Sequence, residues 1–566
     1  MRSLGTVSKI LSLFLLASLI LVAQPEISNA SGIQAPLTGY TGDAFADLVV
    51  GVPGEDIPDP PSSIEDAGMI HVIYGFPMGL NPQGNQTFDQ DTDLVVDQAE
   101  EDDQMGSALA SGDFNGDGNY DIAVGIPFED IFVGGTTRVS AGAVHVFYGS
   151  EGGGLSVSGN QFLSQATLNV EGSAELSDHF GYALAVGNFN GDAYDDLAIG
   201  VPLEDFESVP ATNAGSVIVI YGSASGLSPI AVRPDQMWYQ GNGIADSVED
   251  HDWFGYALAA GDFDSDNYDD LAIGAPGEDS EAAGKDDIGV VHVLYGTAGG
   301  LSATGNQQWE QYDWGGSAES EAGDQFGRSL AVGKFKWRTY DALAIGVPYE
   351  DIEGSTTVSE AGAVNILFGS NDGLEDDNVV FLYQDGGYID ETAEYHDHFG
   401  ASLAAVDFSG FGTDNLVVGV PDENLGDPVV SNAGAVHVLT TSGEHFVGVS
   451  LRYFHQDRSG IPGDLGIDHK FGSSLAPGDF NGDGKEDLAI GVPFDSCNVS
   501  KDGSVIVIYD DVWGALADYA PQYWCQGGSL LDQGEADDHF GVAIAALPST
   551  GAVPYRVYLP ICMRDD

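Results

Sequence analysis

The sequence predicts an all-β protein, a seven-bladed β-propeller whose N- and C-terminal segments together close one blade. Three observations support this prediction: a long phrase that recurs at a fixed period, a phase offset between its first and last copies, and apolar strand-like runs between glycine-rich turns. Of the 566 residues, 78 are glycine and 10% are aromatic. That composition suits strands joined by tight turns and excludes a simple disordered chain.

The recurring phrase is clearest between Met105-Gly106 and Gly125-Ile126-Pro127. Its second half, Gly-x-Pro, returns every 72 to 75 residues. The glycines of these copies are Gly51, Gly125, Gly200, Gly274, Gly346, Gly419 and Gly491. A period of this length suits one four-stranded propeller blade with long loops.

The first half of the phrase, Phe-Gly before a short apolar run, is out of phase with the second half. Its copies begin at Phe180, Phe254, Phe326, Phe399, Phe471 and Phe540, with Met105 as a variant. No Phe-Gly precedes Gly51, and no Gly-x-Pro follows Phe540. A ring explains both facts if Phe540–Leu547 completes the blade begun by Asp47–Pro53. Such closure removes exposed sheet edges.

Each unit is expected to contain four strands. In the third unit, strand one is Tyr182–Val186, strand two is Leu197–Val201 and strand three is Ser216–Tyr221. The fourth strand is less regular, and Thr167–Val170 is taken as an example. These runs are apolar almost throughout, which is typical of sheets packed on both faces. The repeated Phe is expected to wedge between blades.

Between strands one and two lies an acidic loop with the spacing D-x-[DN]-x-D-x-x-x-D. Oxygen side chains at positions 1, 3, 5 and 9, with a backbone carbonyl at position 7, suit Ca²⁺ better than Mg²⁺. About four Ca²⁺ sites are expected. The complete copies are Asp113, Asn115, Asp117, Asn119 and Asp121; Asn188, Asn190, Asp192, Tyr194 and Asp196; Asp262, Asp264, Asp266, Tyr268 and Asp270; and Asp479, Asn481, Asp483, Lys485 and Asp487.

The other three copies of this loop depart from the pattern. The fifth replaces ligands with Lys334, Lys336, Arg338 and Ala342, and we expect no ion there. The sixth is weak, with Asp407, Ser409, Phe411 and Asn415. The first has Gly39 at position 1 before Thr41, Asp43 and Asp47, and whether it binds an ion is left open.

The chain termini and the cysteines add three expectations. Residues 1–30 have the positive start, apolar run and small residues of a secretory signal peptide. Residues 31–547 would form the propeller and 548–566 a short C-terminal tail, with no transmembrane segment in the mature chain. Cys497 and Cys525 could form a disulfide and leave Cys562 over, or all three could remain thiols.

The charge balance limits the partners. The chain has 89 acidic and 16 basic residues, a formal net charge of −73. Such a chain repels phosphate backbones, so nucleic-acid binding is excluded. Divalent cations and a basic extracellular protein or glycan are the natural counterparts, although a generally acidic secreted surface would also explain the excess.

The Phe-Gly and Gly-x-Pro pairing around an aspartate loop resembles the FG-GAP repeats of integrin α chains, from about Leu37 to Leu547. The resemblance implies a seven-bladed propeller with calcium loops on one face and ligand binding on the other. No inserted adhesion domain interrupts the repeats here, and no leg domains are evident. The chain therefore resembles the stand-alone FG-GAP proteins that bacteria secrete.

A second acidic pattern follows Gly-x-Pro and would lie on the face opposite the aspartate loops. Its copies are Glu55-Asp56, Glu129-Asp130, Glu204-Asp205, Glu278-Asp279 and Glu350-Asp351, with partial copies at Glu423 and Asp495. Asp178, Asp252, Asp324, Asp397 and Asp538 precede strand one on the same face. These carboxylates could bind a basic partner or further cations, but repetition in every blade favours turn capping.

The function expected is that of a secreted or cell-surface calcium-binding module for adhesion or ligand binding. Two alternatives stay open: an extracellular hydrolase of a polymer or lipid headgroup with a site in the propeller channel, and a structural cell-envelope protein. No catalytic motif is recognised, so a binding role is favoured over an enzyme. Residues that break the repeat would be the hydrolase candidates, namely Arg233, Trp238, Trp314, Trp337, Arg452 and Trp513.

Overall fold

The described residues form seven four-stranded antiparallel sheets and two short two-stranded ones. A computed structural model describes residues 45–548 apart from short internal stretches. The stretches outside the description are 60–61, 151–153, 168–169, 207–210, 229–233, 281–283, 312–319, 337–339, 354–355, 387–388, 390, 427, 443–444, 459, 510–519 and 528. The signal peptide and almost all of the C-terminal tail expected from the sequence lie outside the described residues.

The described residues contain thirty-two strands, separated by turns. They are β1 (Asp47–Val52), β2 (Ile57–Asp59), β3 (Ser62–Ile64), β4 (Met69–Tyr74), β5 (Asn81–Phe88), β6 (Ala108–Gly112), β7 (Asp121–Ile126), β8 (Ile131–Val133), β9 (Thr136–Arg138), β10 (Ala143–Ser150), β11 (Gly154–Leu163), β12 (Leu184–Gly187), β13 (Asp196–Val201), β14 (Ser216–Ile220), β15 (Gln236–Trp238), β16 (Ala257–Gly261), β17 (Asp270–Ala275), β18 (Val290–Tyr295), β19 (Ser302–Trp309), β20 (Ser329–Gly333), β21 (Ala342–Val347), β22 (Ala363–Ser370), β23 (Gly373–Leu382), β24 (Ser402–Val406), β25 (Asn415–Val420), β26 (Ala435–Ser442), β27 (His445–Phe454), β28 (Ser474–Gly478), β29 (Asp487–Val492), β30 (Ser504–Ile508), β31 (Gln522–Trp524) and β32 (Ile544–Leu547).

Each four-stranded sheet is one blade of a seven-bladed propeller, and the pairs β2-β3 and β8-β9 are hairpins outside the blades. In chain order the blades are β32-β1-β4-β5, β6-β7-β10-β11, β12 to β15, β16 to β19, β20 to β23, β24 to β27 and β28 to β31. The first strand of each blade contacts the first strand of the next, and the series β6, β12, β16, β20, β24, β28, β32 returns to β6. First strands therefore line the centre of the ring, and fourth strands lie at its rim.

The ring closes where the sequence predicts. Strand β32 pairs antiparallel with β1, with Asp47 opposite Leu547 and Val50 opposite Ile544. The last strand of the described chain thus becomes the innermost strand of the first blade. Because the backbone of β1 is hydrogen-bonded on both sides, this closure leaves no open edge at the start of the ring.

Close backbone packing explains the two glycines of the repeat. The N–H of Gly181 donates to the carbonyl of Gly200 at 3.1 Å within one blade. A Cβ added to Gly200 would lie 2.1 Å from the carbonyl oxygen of Gly255, the Phe-Gly glycine of the next blade. The same arrangement recurs at Gly51, where the nearest atom is the Gly106 oxygen. Only glycine permits this approach between blades.

The phenylalanine of Phe-Gly fills the space between adjacent sheets. Phe180 is fully buried in a cluster that contains Val144 and Leu163 of blade two and Leu184 and Leu197 of blade three. This placement confirms the wedge expected from the repeat. Burying apolar surface on both faces of each sheet explains why the second and third strands are mostly apolar.

The first three strands of each blade match the prediction to within a few residues, but the fourth does not. Blade two takes its fourth strand from β11, which ends at Leu163, and neither Thr167 nor Val170 lies in a strand. The expectation is therefore wrong for these two residues, and residues 168–169 lie outside the description. Polar and half-buried residues in the rim strands, such as those of β11, hide the strand pattern. Among the described residues, no helix is long and apolar enough to cross a membrane.

Candidate metal centres

The four complete aspartate loops connect the first strand of a blade to its second strand. They belong to blades two, three, four and seven, and the position-9 aspartate of each is the first residue of the second strand. All four loops therefore lie at the same end of their blades. This end is one face of the propeller.

Blade four brings three carboxylates closest together. One oxygen from each of Asp262, Asp264 and Asp270 lies within 4.8 Å of the others. Asp270 is held by two backbone donors, Phe263 N–H at 2.8 Å and Gly296 N–H at 2.9 Å. An all-oxygen group of this kind has the donor chemistry that Ca²⁺ takes in proteins.

Asp266 and Tyr268 complete the loop of blade four. The N–H of Asp266 donates to Asp262 Oδ1 and Asp264 Oδ1, each at 3.1 Å. The N–H of Tyr268 donates to Asp266 Oδ1 at 3.0 Å. These bonds bend the loop so that its side-chain oxygens converge, as a cation site requires, although Asx turns form the same bonds without a cation.

The other three loops differ from blade four at position 3, where an asparagine replaces the aspartate. Asn190 Nδ2 lies 3.2 Å from both carboxylate oxygens of Asp196. Asn481 makes the same contacts to Asp487 at 3.0 and 3.1 Å, and Asn115 approaches Asp121 at 3.5 Å. Three of the four loops thus place an amide beside the buried aspartate.

The position-5 and position-7 residues of these three loops are placed as in blade four. The N–H groups of Asn119, Tyr194 and Lys485 donate to the aspartates two residues earlier, Asp117, Asp192 and Asp483, at 2.8 to 3.0 Å. The position-1 residues Asp113, Asn188 and Asp479 accept backbone N–H bonds from within the loop. All twenty expected residues are therefore in four loops of similar geometry.

Burial raises the pKa of the position-9 aspartates when no metal is bound. It raises the pKa of Asp121 and Asp270 to about 9 and lifts the pKa of Asp196 and Asp487 well above the usual value. Neighbouring carboxylates raise them further, whereas backbone N–H donors oppose the shift. A bound cation would stabilise the charged form of these groups. The residues present fit a divalent metal.

In the corresponding loop of blade five, lysine ammonium groups provide positive charge. Lys334 Nζ lies 2.9 Å from Asp341 Oδ1. Lys336 is 8% exposed, and its ammonium lies 3.1 Å from the centre of the Phe368 ring. The expectation that this loop holds no ion stays a prediction, and Arg338 lies outside the described residues.

The two weak loops are less complete. In blade six, Ser409 Oγ donates to Asp407 Oδ1 at 2.7 Å, while Phe411 is exposed at position 5. Of the blade one loop, the structure describes Asp47 among the ligand candidates, and Asp47 accepts the N–H of Gly75 at 2.8 Å. Gly39, Thr41 and Asp43 lie outside the described residues.

A set of acidic residues that sequence reasoning missed joins neighbouring blades. In blade three the position-8 residue Asp195 accepts the N–H of Asp113 of blade two at 2.8 Å, and its own N–H donates to the Asp113 carbonyl at 3.1 Å. The same pair of bonds links four further blade junctions through Asp269, Asp341, Asp414 and Glu486. A carboxylate at position 8 was visible in the repeat, and its role is to connect blades.

The opposite face contains a second repeated contact. The acidic residue after each Gly-x-Pro, a glutamate in six blades and Asp495 in blade seven, is buried and accepts the side-chain amide of a glutamine that follows the fourth strand of the preceding blade. The seven pairs are Gln90–Glu129, Gln165–Glu204, Gln240–Glu278, Gln311–Glu350, Gln384–Glu423, Gln456–Asp495 and Gln526–Glu55. The glutamines recur at the period of the repeat, which could have revealed them.

The aspartate that follows this glutamate caps a turn. Asp130, Asp205 and Asp351 accept backbone N–H groups at 2.8 to 2.9 Å from the segment that leads into the third strand. Asp56 and Asp279 do the same. The capping interpretation therefore describes these aspartates, while the glutamates are buried.

Two described residues that break the repeat do not line the channel. Trp238 lies on β15 and Arg452 on β27, and both are fourth strands at the rim of their blades. Arg233, Trp314, Trp337 and Trp513 lie outside the described residues. The described candidates thus give no support to a catalytic site in the channel.

Blade seven contains the disulfide of the described chain. It joins Cys497, which follows β29, to Cys525, which follows β31. Cys562 lies outside the described residues. Disulfides persist mainly in proteins from oxidising compartments, and this one fits an extracellular protein.

Comparison with known proteins identifies the repeats. A model described as "FG-GAP repeat" matches residues 105–147, 180–220, 254–294 and 471–508. Human phosphatidylinositol-glycan-specific phospholipase D is 32% identical over 236 residues, which is 41% of this chain and 25% of that protein. Integrin alpha pat-2 of Caenorhabditis briggsae is 31% identical over 221 residues, 37% of this chain and 15% of that protein.

Mouse integrin alpha-IIb is similar too, 32% identical over 175 residues, 31% of this chain and 15% of that protein. The matched region spans a quarter or less of the length of these relatives. The four segments matched by the repeat model lie in blades two, three, four and seven, which are the blades with complete aspartate loops. The chain therefore contains FG-GAP repeats and resembles integrin α chains in these blades.

Proposed function

We propose that this protein is a secreted or cell-surface propeller that binds Ca²⁺ in four loops and acts as an extracellular adhesion or ligand-binding module. The observation that carries the calcium assignment is the convergence of Asp262, Asp264 and Asp270 within 4.8 Å. Ca²⁺ is favoured over Mg²⁺ because the donors are hard oxygens on a short flexible loop.

Calcium has a structural role in this proposal. The side chains and carbonyls of the twenty loop residues hold the ions, and the ions offset repulsion among carboxylates in the loop between the first and second strands of these four blades. Since these loops also exchange backbone bonds with the adjacent blade through residues such as Asp195, each ion would stabilise a junction as well as a loop.

The binding role rests on similarity to the integrin α chains and on charge. Seven blades offer a broad surface of loops rather than a single cleft, and the net charge of −73 favours a basic protein or glycan partner. The placement of Trp238 and Arg452 at the rim gives the hydrolase alternative no support. We further propose that residues 1–30 are a signal peptide, that 31–547 are the propeller, that 548–566 are a tail, and that the disulfide forms after export.

Binding to an array of extracellular glycans and matrix proteins tests the adhesion role. The chain is applied in 2 mM Ca²⁺, in EDTA and at increasing salt (about 0.05 to 0.5 M), since screening weakens charge-driven binding. We expect retention on a basic member of the array that EDTA and salt reduce. Turnover of an array member, or no retention in Ca²⁺, would contradict the proposal.

A further inference from the structure

Three carboxylates also converge on the face opposite the aspartate loops. In blade two, one oxygen from each of Glu100, Asp103 and Glu129 lies within 4.8 Å of the others. Blades four and five repeat the group with Glu249, Asp252 and Glu278 and with Glu321, Asp324 and Glu350. We call these groups the acidic triads. They lie between the loop before the first strand and the loop after the second strand of one blade.

The triad of blade two is held in place by protein donors. The N–H of Glu100 donates to Asp103 Oδ2 at 2.7 Å, and Gln90 Nε2 donates to Glu129 Oε2 at 2.6 Å. Asp103 and Glu129 are buried, and Glu100 is exposed at the mouth of the group. Asp97 also interacts with Glu129 and with Gln90. The carboxylates are therefore positioned by the fold and open to solvent on one side.

An amide oxygen beside two of the triads lacks a partner. Gln90 is 1% exposed, its amide touches the triad through Nε2, and its Oε1 has no hydrogen-bond partner among the described residues. In blade five, Gln311 Oε1 and Glu350 Oε1 are likewise buried and lack a partner within the described part of the chain. The equivalent oxygen also lacks a partner in blades one, three and six, so blades two and five are the described blades in which this oxygen and a triad coincide. A buried acceptor beside carboxylates needs a donor or a cation.

Blade seven shows what happens when the triad is absent. His469 occupies the position of Asp103, and Asp495 occupies that of Glu129. His469 Nδ1 lies 3.3 Å from Asp495 Oδ1, and Ser504 and Tyr523 hydroxyls donate to Asp495 Oδ2 at 2.8 and 2.7 Å. Protein groups surround the remaining carboxylate there, much as lysines do in the aspartate loop of blade five.

We propose that the acidic triads of blades two and five each bind a Ca²⁺ ion, through the three carboxylates and the adjoining glutamine Oε1. All donors are hard oxygens, as Ca²⁺ prefers. The inference is independent of the aspartate loops, which lie at the other end of the strands.

Anomalous diffraction from crystals of the full mature chain grown with Mn²⁺ tests the sites directly. We expect a peak among Glu100, Asp103, Glu129 and Gln90 Oε1, and one at the equivalent place in blade five. Peaks in the aspartate loops without peaks in the triads would overturn this inference and leave the proposed function intact. Peaks in the triads without peaks in the aspartate loops would support this inference and contradict the calcium assignment of the proposed function.

Calcium content gives a second test. Wild type and the variant Asp103→Asn/Glu129→Gln are dialysed against the same free Ca²⁺, and calcium per chain is measured by elemental analysis. We expect the variant to lose one ion. The matched control is His469→Gln/Asp495→Asn in blade seven, which should lose none.

The alternative is that Glu129 is protonated and donates to Gln90 Oε1 without any metal. That arrangement predicts equal calcium content in wild type and variant, and this result would overturn the inference. Far-ultraviolet circular dichroism and elution volume show whether each variant keeps its fold, and the diffraction test does not depend on any variant.

Discussion

Blades four and five have the same strands in the same order, but the loop between their first and second strands differs in charge. Blade four gathers Asp262, Asp264 and Asp270 within 4.8 Å. Blade five puts Lys334 against Asp341 and buries Lys336 over an aromatic ring. Under the proposed function, a bound cation in blade four takes the place that lysine takes in blade five.

The largest effect is expected from Asp270→Ala. The substitution removes a proposed ligand and leaves the N–H groups of Phe263 and Gly296 without their acceptor. Each unsatisfied buried donor costs about 1–3 kcal/mol. We expect the free energy of unfolding in Ca²⁺ to fall by about 3–5 kcal/mol, through two lost hydrogen bonds and one lost ion. EDTA removes the contribution of the ion from the wild type, so the substitution should cost less in EDTA than in Ca²⁺. An equal cost in Ca²⁺ and EDTA would show that Asp270 is only an acceptor of backbone bonds.

A substitution that gives blade four the lysine of blade five tests the equivalence of cation and ammonium. Asp264→Lys should remove one Ca²⁺ per chain. At a free calcium concentration of 100 Kd, it should also remove about 2.7 kcal/mol of calcium-dependent stability. Chemical denaturation with and without EDTA measures the difference. Asp372→Lys, the same charge change at an exposed turn of blade five, is the control, and an equal loss of calcium there would argue against a specific site.

The third strands differ as well, because His292 of blade four corresponds to Asn365 of blade five. Burial lowers the pKa of His292 to about 4, below its usual 6.5. The folded state therefore resists protonation, so its stability is intact above pH 6.5 and falls as pH drops toward 4. At pH 5 the loss is about 2 kcal/mol for this histidine.

His292→Asn should make unfolding less sensitive to acid between pH 6.5 and 4. The quantity to compare is the slope of unfolding free energy against pH, since the substitution also shifts the baseline at pH 7. His145 is a second buried histidine with a pKa of about 4. It is present in both proteins, so its contribution to the slope is the same in each. Identical slopes for wild type and variant would refute the assignment.

The smallest effect is expected from Lys334→Ala. The Lys334 side chain is 45% exposed, so its pair with Asp341 should contribute only about 0.2–1 kcal/mol, and salt should reduce that further. Calcium content should not change. A gain of one ion would indicate that the lysine blocks a site that the rest of the loop could form.

Repetition explains how much of the structure was predictable. Glycine at Gly200 and Phe at Phe180 recur because a backbone contact and a wedge recur in every blade, so the period revealed the fold and its closure. The strand β11 was not located because its residues are half-exposed and polar at the rim.

The candidate sites were predictable where chemistry and spacing coincide. The residues of the aspartate loops could be named from one nine-residue pattern. The link from Asp195 to Asp113 could not, since it joins residues 82 positions apart in different blades. The contact between Gln90 and Glu129 joins residues of adjacent blades in the same way, and only the fold brings them together.

Thermal unfolding of residues 31–566 in Ca²⁺ and in excess EDTA tests the central claim most directly. A ligand that binds only the folded chain must raise its apparent stability. The account predicts that EDTA lowers the midpoint sharply and that added Ca²⁺ restores it at lower concentration than Mg²⁺. An unchanged midpoint in EDTA would contradict the claim that the aspartate loops are structural calcium sites.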